Sequence, residues 1–462
     1  MGTEGNRQEL VLEDYQVTGK EFLKQGNRML ADHMGLGKTI QSLAAAQEIL
    51  ADSPDYWKVL VITLSSLKIQ WRREVRKYFT DDVAIMGAKD EIPDAKFVIT
   101  NPEALFHRKA YRHEGKLRYV TEERKIPKHH IVILDESHFY KNYNSKRTKK
   151  VREVTRRAEY VWLLTGTPTP NKPIEIYSQL NLMDKSISSK WQLIEDYMVT
   201  WHNGFGIDVG GVLPHRLSHW KEFLSQYMLR RTRELLDLPP LTEEYIYVGM
   251  NRQQEKSYKQ MLYEMITTID EEDYLMASNV LAQLTRLRQI ALDYKLIGKK
   301  HSSGKTDWLL ENLPKYTQDH KVLIFSAFSK YVDLLHDKLD GAVKLTGGMS
   351  TTDRQEAVDR FTNEPDTRSL IGTIGAMGTG LNLTAASVVI FTDLPWTPDQ
   401  VEQCYSRAYR RGQDDSVHIV KLVTEDSIEE HVINLLSRKE KIISEAMVTE
   451  EVIRRVTNQC NS

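Results

Sequence analysis

Short apolar runs recur along the chain, each followed by a polar or glycine turn and then a helical pattern. KVLVIT (58–63), KFVIT (96–100), HIVILDE (130–136) and YVWLLTGT (160–167) form a first set. KVLIFSAF (321–328), RSLIGTI (368–374), SVVIFTD (387–393) and VHIVKLV (417–423) form a second. Runs of this length, apolar on both faces, read as buried strands of parallel sheets with crossover helices. The pattern predicts an α/β fold with two lobes, 1–185 and 305–435. Between them the texture changes. Residues 186–240 are irregular, with Gly204, Gly206, Gly210, Gly211 and a Pro239-Pro240 break, whereas 251–292 carry helical spacing. Residues 186–304 therefore read as a mostly helical region between the lobes. EDSIEEHVINLLSRKEKIISEAMVTE (425–450) is one amphipathic helix pattern with an acidic start, so 436–462 reads as C-terminal helix and tail.

Composition narrows the class. Of 462 residues, 40% are hydrophobic and 27% charged, a globular balance. The formal net charge of -1 means that any nucleic-acid surface must be local, with acidic surface elsewhere. The cysteines, Cys404 and Cys460, lie outside any Cys-x-x-Cys, which argues against a zinc site or a disulfide scaffold and fits a reducing compartment. Residues 369–392 carry no charge, but Gly372, Gly375, Gly378, Gly380 and Asn382 argue against a membrane span. The start, MGTEGNRQEL, lacks the apolar core of a secretory signal. A cytoplasmic protein of bacterial or phage origin is expected, or a nuclear one in a eukaryote.

Two stretches carry chemistry. ADHMGLGKT (31–39) follows the apolar segment RMLA and precedes the helix former IQSLAAAQEIL. Gly35 and Gly37 let the backbone turn its N–H groups around phosphate oxygens, and the helix N-terminus adds positive potential. Met34 and Leu36 complete this loop. Lys38 would reach the β- and γ-phosphates of ATP, and Thr39 would ligate Mg²⁺. Asp32 occupies the first glycine position of the usual phosphate-loop pattern. DESH (135–138) ends the apolar strand IVIL. There Asp135 would hold Mg²⁺, and Glu136 would polarise the attacking water as general base.

With these motifs in order, the chain resembles the Swi/Snf-type ATPases of helicase superfamily two. The resemblance runs from about 10 to 435 and implies two RecA-like lobes. EDYQVTGKEFL (13–23) resembles the adenine-reading segment, with Gln16 on the adenine edge. LADHMGLGKTIQ (30–41) resembles motif I, with His33 where the family usually has Glu. VITLSSLKIQWRREVRKY (61–78) resembles motif Ia, with Leu64 in place of a usual Pro. DESH with Lys141-Asn142 resembles motif II, and LTGTPTPN (164–171) motif III. MLRRTRELLDLPP (228–240) and LTRLRQIAL (284–292) resemble the family insertions, and SGKTDWLL (303–310) the entry to the second lobe. VLIFSAF (322–328) resembles motif IV. GTGLNLTAASVVIFTDLPW (378–396) resembles motif V, with Gly380 near the nucleotide. QCYSRAYRRGQ (403–413) resembles motif VI. Arg411 and Thr397 depart from its usual residues.

The resemblance assigns the remaining roles. Gln403, Arg407 and Arg410 share a helical face at i, i+4 and i+7. The two arginines would stabilise charge on the transferring phosphoryl group, an effect worth about 10³–10⁵ in rate. Ser66, Trp71, Asn101, Lys141, Asn142, Thr379 and Trp396 are candidate nucleic-acid contacts, although a place in the lobe core is the preferred reading for Trp71 and stays open for Trp396. Basic segments 141–157 (eight Lys/Arg, one acid), RREVRK (72–77) and RRTR (230–233) could track phosphates or form solvated faces. The expected activity is a DNA-dependent ATPase that translocates on duplex DNA, as a monomer that works with a recruiting protein. An RNA- or single-strand-dependent unwinding helicase and an ATP-gated DNA clamp are the alternatives.

Overall fold

The computed structural model describes residues 8–113, 116–187, 189–202, 204, 206–271, 277–378 and 381–446. The chain divides into two compact units. One runs to Leu236 and the other spans Asp237–Glu440, with residues 441–446 grouped with the first. Residues 186–304 are thus shared between the units.

The first unit is built on strands β1 (Arg28–Leu30), β2 (Val59–Ile62), β3 (Val83–Ile85) and β4 (Phe97–Thr100). A hairpin follows, β5 (Phe106–His113) and β6 (Lys116–Glu123), and then β7 (Ile131–Asp135) and β8 (Tyr160–Leu164). A second hairpin, β9 (Met198–His202) and β10 (Ile207–Val212), precedes the two-residue β11 (Met228–Leu229). Seven strands form one sheet in the order β11-β1-β8-β7-β2-β4-β3, every pair parallel. The sheet of the second unit uses β12 (Leu241–Val248), β13 (Val322–Ser326), β14 (Val343–Leu345), β15 (Ser369–Thr373), β16 (Val388–Phe391) and β17 (Val417–Thr424). Its order is β12-β17-β16-β13-β15-β14, again all parallel.

All eight apolar runs singled out above are strands. Their lack of alternation has a direct cause. Successive side chains point to opposite faces, and both faces are covered. In the first sheet Leu60, Ile62, Val132 and Leu134 enter one core, while Val59, Val61, Ile131 and Ile133 enter another. In the second sheet Leu323, Phe325, Val389 and Phe391 face one core, and Val322, Ile324, Val388 and Ile390 the opposite one. The uncharged stretch 369–392 contains β15, a short helix (Ile374–Met377) and β16. No helix among the described residues is long and apolar enough to cross a membrane.

The middle region holds the helices Lys190–Tyr197, Leu217–Ser225, Arg252–Glu271 and Ala277–Leu292, together with the strands β9 to β12. β12 is an edge strand whose Thr242, Glu243, Glu244 and Tyr245 are exposed, so it presents no continuous apolar run. The C-terminal helix spans Ile428–Ala446.

Candidate nucleotide and nucleic-acid site

Parallel strands bring their C-terminal ends to one edge, where ligands of open α/β sheets bind. In the first unit Leu30 pairs with Leu164, and Leu164 with Asp135, so the loops after β1, β8 and β7 open side by side. These loops are 31–37, 165–171 and DESH.

Loop 31–37 turns through two left-handed glycines, Gly35 (φ 89°) and Gly37 (φ 76°), and leads into the helix Lys38–Ala51. Gly37 is required for a second reason. A Cβ there would lie 2.5 Å from Gln16 Nε2. Lys38 Nζ donates to the carbonyls of Asp32 (2.6 Å) and His33 (3.2 Å), so the ammonium is held over the loop. Thr39 sits in the first turn of the helix. Leu36 is fully buried and Met34 half-buried. Met34 packs on motif III, where a Cβ on Gly166 would meet its Cγ at 3.2 Å.

Gln16 is buried beneath this loop. Its Oε1 accepts from Glu13 N (3.1 Å), and its Nε2 donates to Leu36 O (3.3 Å). Its amide therefore braces the phosphate loop as well as standing in the segment expected to read adenine.

Sequence reasoning missed the loop's strongest anchor. Asp32 is fully buried, and Arg231 grips it from two sides: Nε to Oδ1 at 2.9 Å and Nη2 to Oδ2 at 2.5 Å. Gln41 bonds both partners, at 3.2 Å to Asp32 and 2.8 Å to Arg231, and Arg231 also donates to Tyr15 O. Asp32 at a glycine position was the available signal, and this network explains it. RRTR is correspondingly no simple phosphate-tracking surface, because Arg231 is 2% exposed.

Asp135 closes the same edge. Its Oδ2 accepts from Thr63 Oγ1 and from Trp71 Nε1, each at 2.8 Å, and its Oδ1 accepts from Glu136 N. Burial, and then the neighbouring Glu136, push the Asp135 carboxyl above its ordinary range; Lys38 opposes the rise. A buried carboxyl raised in this way beside a second acid suits a divalent cation, which would relieve the cost of its charge. Glu136 adopts φ 49°, a strained turn that aims its side chain off the strand line. His138 bonds Thr165 Oγ1 (3.1 Å), joining motif II to motif III, and burial lowers its pKa to about 4.

The nucleic-acid candidates separate. Ser66 and Asn142 are exposed and Lys141 half-buried, with Lys141 3.5 Å from Glu175. Asn101 is 8% exposed, its amide bonded to Lys68 and Glu103. Trp71 is corrected: it is 2% exposed, with its ring in the core and its N–H on Asp135, so it has no face for nucleic acid. The basic segment 141–157 is also only partly a surface. Lys150 is buried against Glu123 and Glu153, and Arg152 is buried over the Tyr143 ring at 3.7 Å.

In the second unit, Trp396 is 37% exposed and lies under the Arg288 guanidinium (4.9 Å). Arg288 in turn bonds Leu394 O at 2.5 Å and Asp393 at 3.3 Å. Thr379, Gly380 and Cys460 lie outside the described residues. Arg407 and Arg410 depart from the expected helical face, because the helix Pro398–Tyr405 ends before them. The backbone tightens there: Arg407 N donates to Cys404 O (3.1 Å) and Arg410 N to Ala408 O (3.2 Å), so neither makes the i−4 bond of a continuing helix. Arg407 Nε still reaches back to Gln403 O (3.1 Å), while Arg410 Nη1 points to Leu381 O at 3.4 Å. Burial lowers the Arg410 pKa, a cost that a nearby anion would offset.

Comparison with known proteins agrees with the motif order. Residues 15–296 match the SNF2-related domain, and residues 304–412 match the helicase conserved C-terminal domain. The chain is 27% identical over 445 residues to the SWI/SNF-related matrix-associated actin-dependent regulator of chromatin subfamily A-like protein 1 of Drosophila melanogaster, covering 94% of this chain and 55% of the relative. It is 26% identical over 440 residues to the DNA annealing helicase and endonuclease ZRANB3 of Homo sapiens, covering 91% and 38%. The chain thus spans about half the length, or less, of these relatives. A solved Sulfolobus solfataricus SWI2/SNF2 ATPase core in complex with dsDNA is 23% identical, with a TM-score of 0.42, covering 95% of this chain and 94% of that one. The family match extends over more than half of the sequence, and the chain belongs to the SNF2-related family.

Proposed function

We propose that this protein is an ATP-driven motor that translocates along duplex DNA and remodels DNA or protein–DNA complexes without needing to separate strands. The observation that carries the reading is the single sheet edge that collects loop 31–37, motif III and the Asp135-Glu136 pair.

Each residue has a stated task. The left-handed Gly35 and Gly37 turn backbone N–H groups toward the phosphates, and Lys38 exchanges its carbonyl partners for β- and γ-phosphate oxygens. Thr39 and Asp135 would hold Mg²⁺, which when bound neutralises phosphate charge. Glu136 accepts the proton of the attacking water. Arg407 and Arg410 stabilise the charge of the transferring phosphoryl group, so that turnover depends on the second unit. Gln16, Gln403 and Gly380 complete the nucleotide site. The nucleic acid is proposed to meet Ser66, Asn101, Lys141, Asn142, Thr379 and Trp396.

Duplex DNA is favoured because the relatives' names refer to chromatin and to DNA annealing. The test is the ATPase rate with duplex DNA, single-stranded DNA and RNA as separate activators. Strongest stimulation by duplex DNA supports the proposal, and stimulation by RNA alone overturns it. Displacement of a triplex-forming strand then separates a motor from a clamp.

A further inference from the structure

One antiparallel hairpin stands apart from both parallel sheets. β5 and β6 pair in unbroken register from Phe106↔Glu123 to His113↔Lys116, and among the described residues they pair with no other strand. Eight residues per strand, at roughly 3.4 Å each, make an arm on the order of 25 Å long.

The root of the arm is fastened to the first unit. β5 follows the turn Pro102–Leu105, which itself follows Asn101 at the end of β4, on the edge that carries the nucleotide loops. Arg124, just past β6, is 4% exposed and donates through Nη1 to the carbonyls of Gly87 (3.0 Å) and Ala104 (3.2 Å), and through Nη2 to that of Asp90. Glu103 and Glu123 pair with Arg147 and Lys150 of the neighbouring helix Lys146–Thr155.

The distal part is chemically different. HRKAYRHEGKLR (107–118) contains five Lys/Arg, two His and one acid. The backbone register sets Arg108 opposite Thr121, Lys109 opposite Val120, Arg118 opposite Tyr111, Arg112 opposite Leu117 and Lys116 opposite His113, so the basic residues are spread over both strands. An isolated two-stranded ribbon is at best marginally stable by itself, so its length calls for another reason. The charge does give one. In a chain of net charge -1, this ribbon is a local basic element beside a proposed nucleic-acid face.

We infer that the hairpin 106–123 is an electrostatic arm that holds the phosphate backbone of the duplex on which the motor travels. The inference rests on the DNA reading above. Phosphate contacts of this kind give affinity without sequence preference.

The test compares the parent chain with the fivefold variant Arg108→Gln, Lys109→Gln, Arg112→Gln, Lys116→Gln and Arg118→Gln, using a fluorescein-labelled 30-base-pair duplex over a salt series. Each lost contact removes about 0.9 from the slope of log affinity against log salt. The variant is expected to show a slope shallower by roughly two to four units and at least about tenfold weaker binding at low salt. DNA-free turnover and the melting temperature should not change. A second variant, with Arg108 joined to Thr121 through Asn-Gly, removes the arm without reversing its chemistry and should show the same loss. Parent-like slope and affinity in a folded variant overturn the arm. A parent chain that no nucleic acid binds or stimulates overturns the DNA reading instead, a result visible before either variant is made.

Discussion

The two halves of the proposed catalytic set are held in different ways. In the first unit the groups are braced by side chains from distant parts of the sequence. Arg231 fixes Asp32, Gln16 sits under Gly37, and Thr63 and Trp71 hold Asp135. In the second unit Arg407 and Arg410 lie beyond the end of a helix, in a turn that closes at Gly412 (φ 90°). The hydrogen bonds given above for their guanidinium groups run to backbone carbonyls, Gln403 and Leu381. The contrast fits a division of labour. A phosphate cradle works best when rigid and preorganised. On the proposed mechanism these arginines engage and release a nucleotide once per cycle, and they sit in a turn outside regular helix.

This contrast can be broken by substitution, and the largest effect belongs to the cradle. Lys38→Ala is expected to abolish turnover, measured as phosphate release; normal activity would remove the phosphate-loop assignment. Glu136→Gln should follow, keeping ATP binding while cutting turnover about 10²–10⁴-fold. Equal losses of binding and turnover would instead place Glu136 in the binding contacts.

Arg231→Met tests whether the bracing is real. It leaves the fully buried Asp32 without its cation, a change worth about 3–5 kcal/mol in chemical unfolding. Asp32→Asn combined with Arg231→Met should recover part of that loss, because the buried charge is gone. Additive losses would mean that the two residues stabilise the fold independently.

The smallest effect is a pH dependence. Burial depresses His138 and His129 to about 4, below the ordinary histidine value of 6.5. Both are neutral in the folded state, whereas the unfolded chain binds their protons below about pH 6.5. Their contribution is therefore present above that pH and is lost as pH falls toward 4, on the order of 3 kcal/mol per histidine. His138→Gln should flatten the melting temperature between pH 6.5 and 4. An unchanged slope would assign the titration to other groups.

What could be read from sequence follows the same division. The eight central strands were legible because each is covered on both faces, which leaves a continuous apolar run. β12 was not, because LTEEYIYV is an edge strand with four consecutive exposed residues. The β5–β6 ribbon joins neither parallel sheet among the described residues, so it lacks the continuous apolar run of a doubly covered strand. In the site, loop 31–37 was legible because its chemistry is local. The Arg231–Asp32 pair joins positions 199 residues apart, and no spacing rule links them. The misplaced helical face of Arg407 and Arg410 has a similar origin. Helical spacing predicted a continuation, but the backbone N–H groups of Arg407 and Arg410 bond Cys404 O and Ala408 O instead of the carbonyls four residues back. Trp71 reads as an aromatic near basic residues, but its burial is a property of the tertiary fold.

The central claim is that hydrolysis on the first unit requires arginines from the second. Its most direct test is the duplex-stimulated steady-state turnover of Arg410→Ala, with nucleotide affinity measured in parallel by a fluorescent ATP analogue. The expected result is a turnover about 10³-fold lower or more, with ATP affinity and duplex affinity nearly retained. A variant that turns over ATP at the parent rate would contradict the claim.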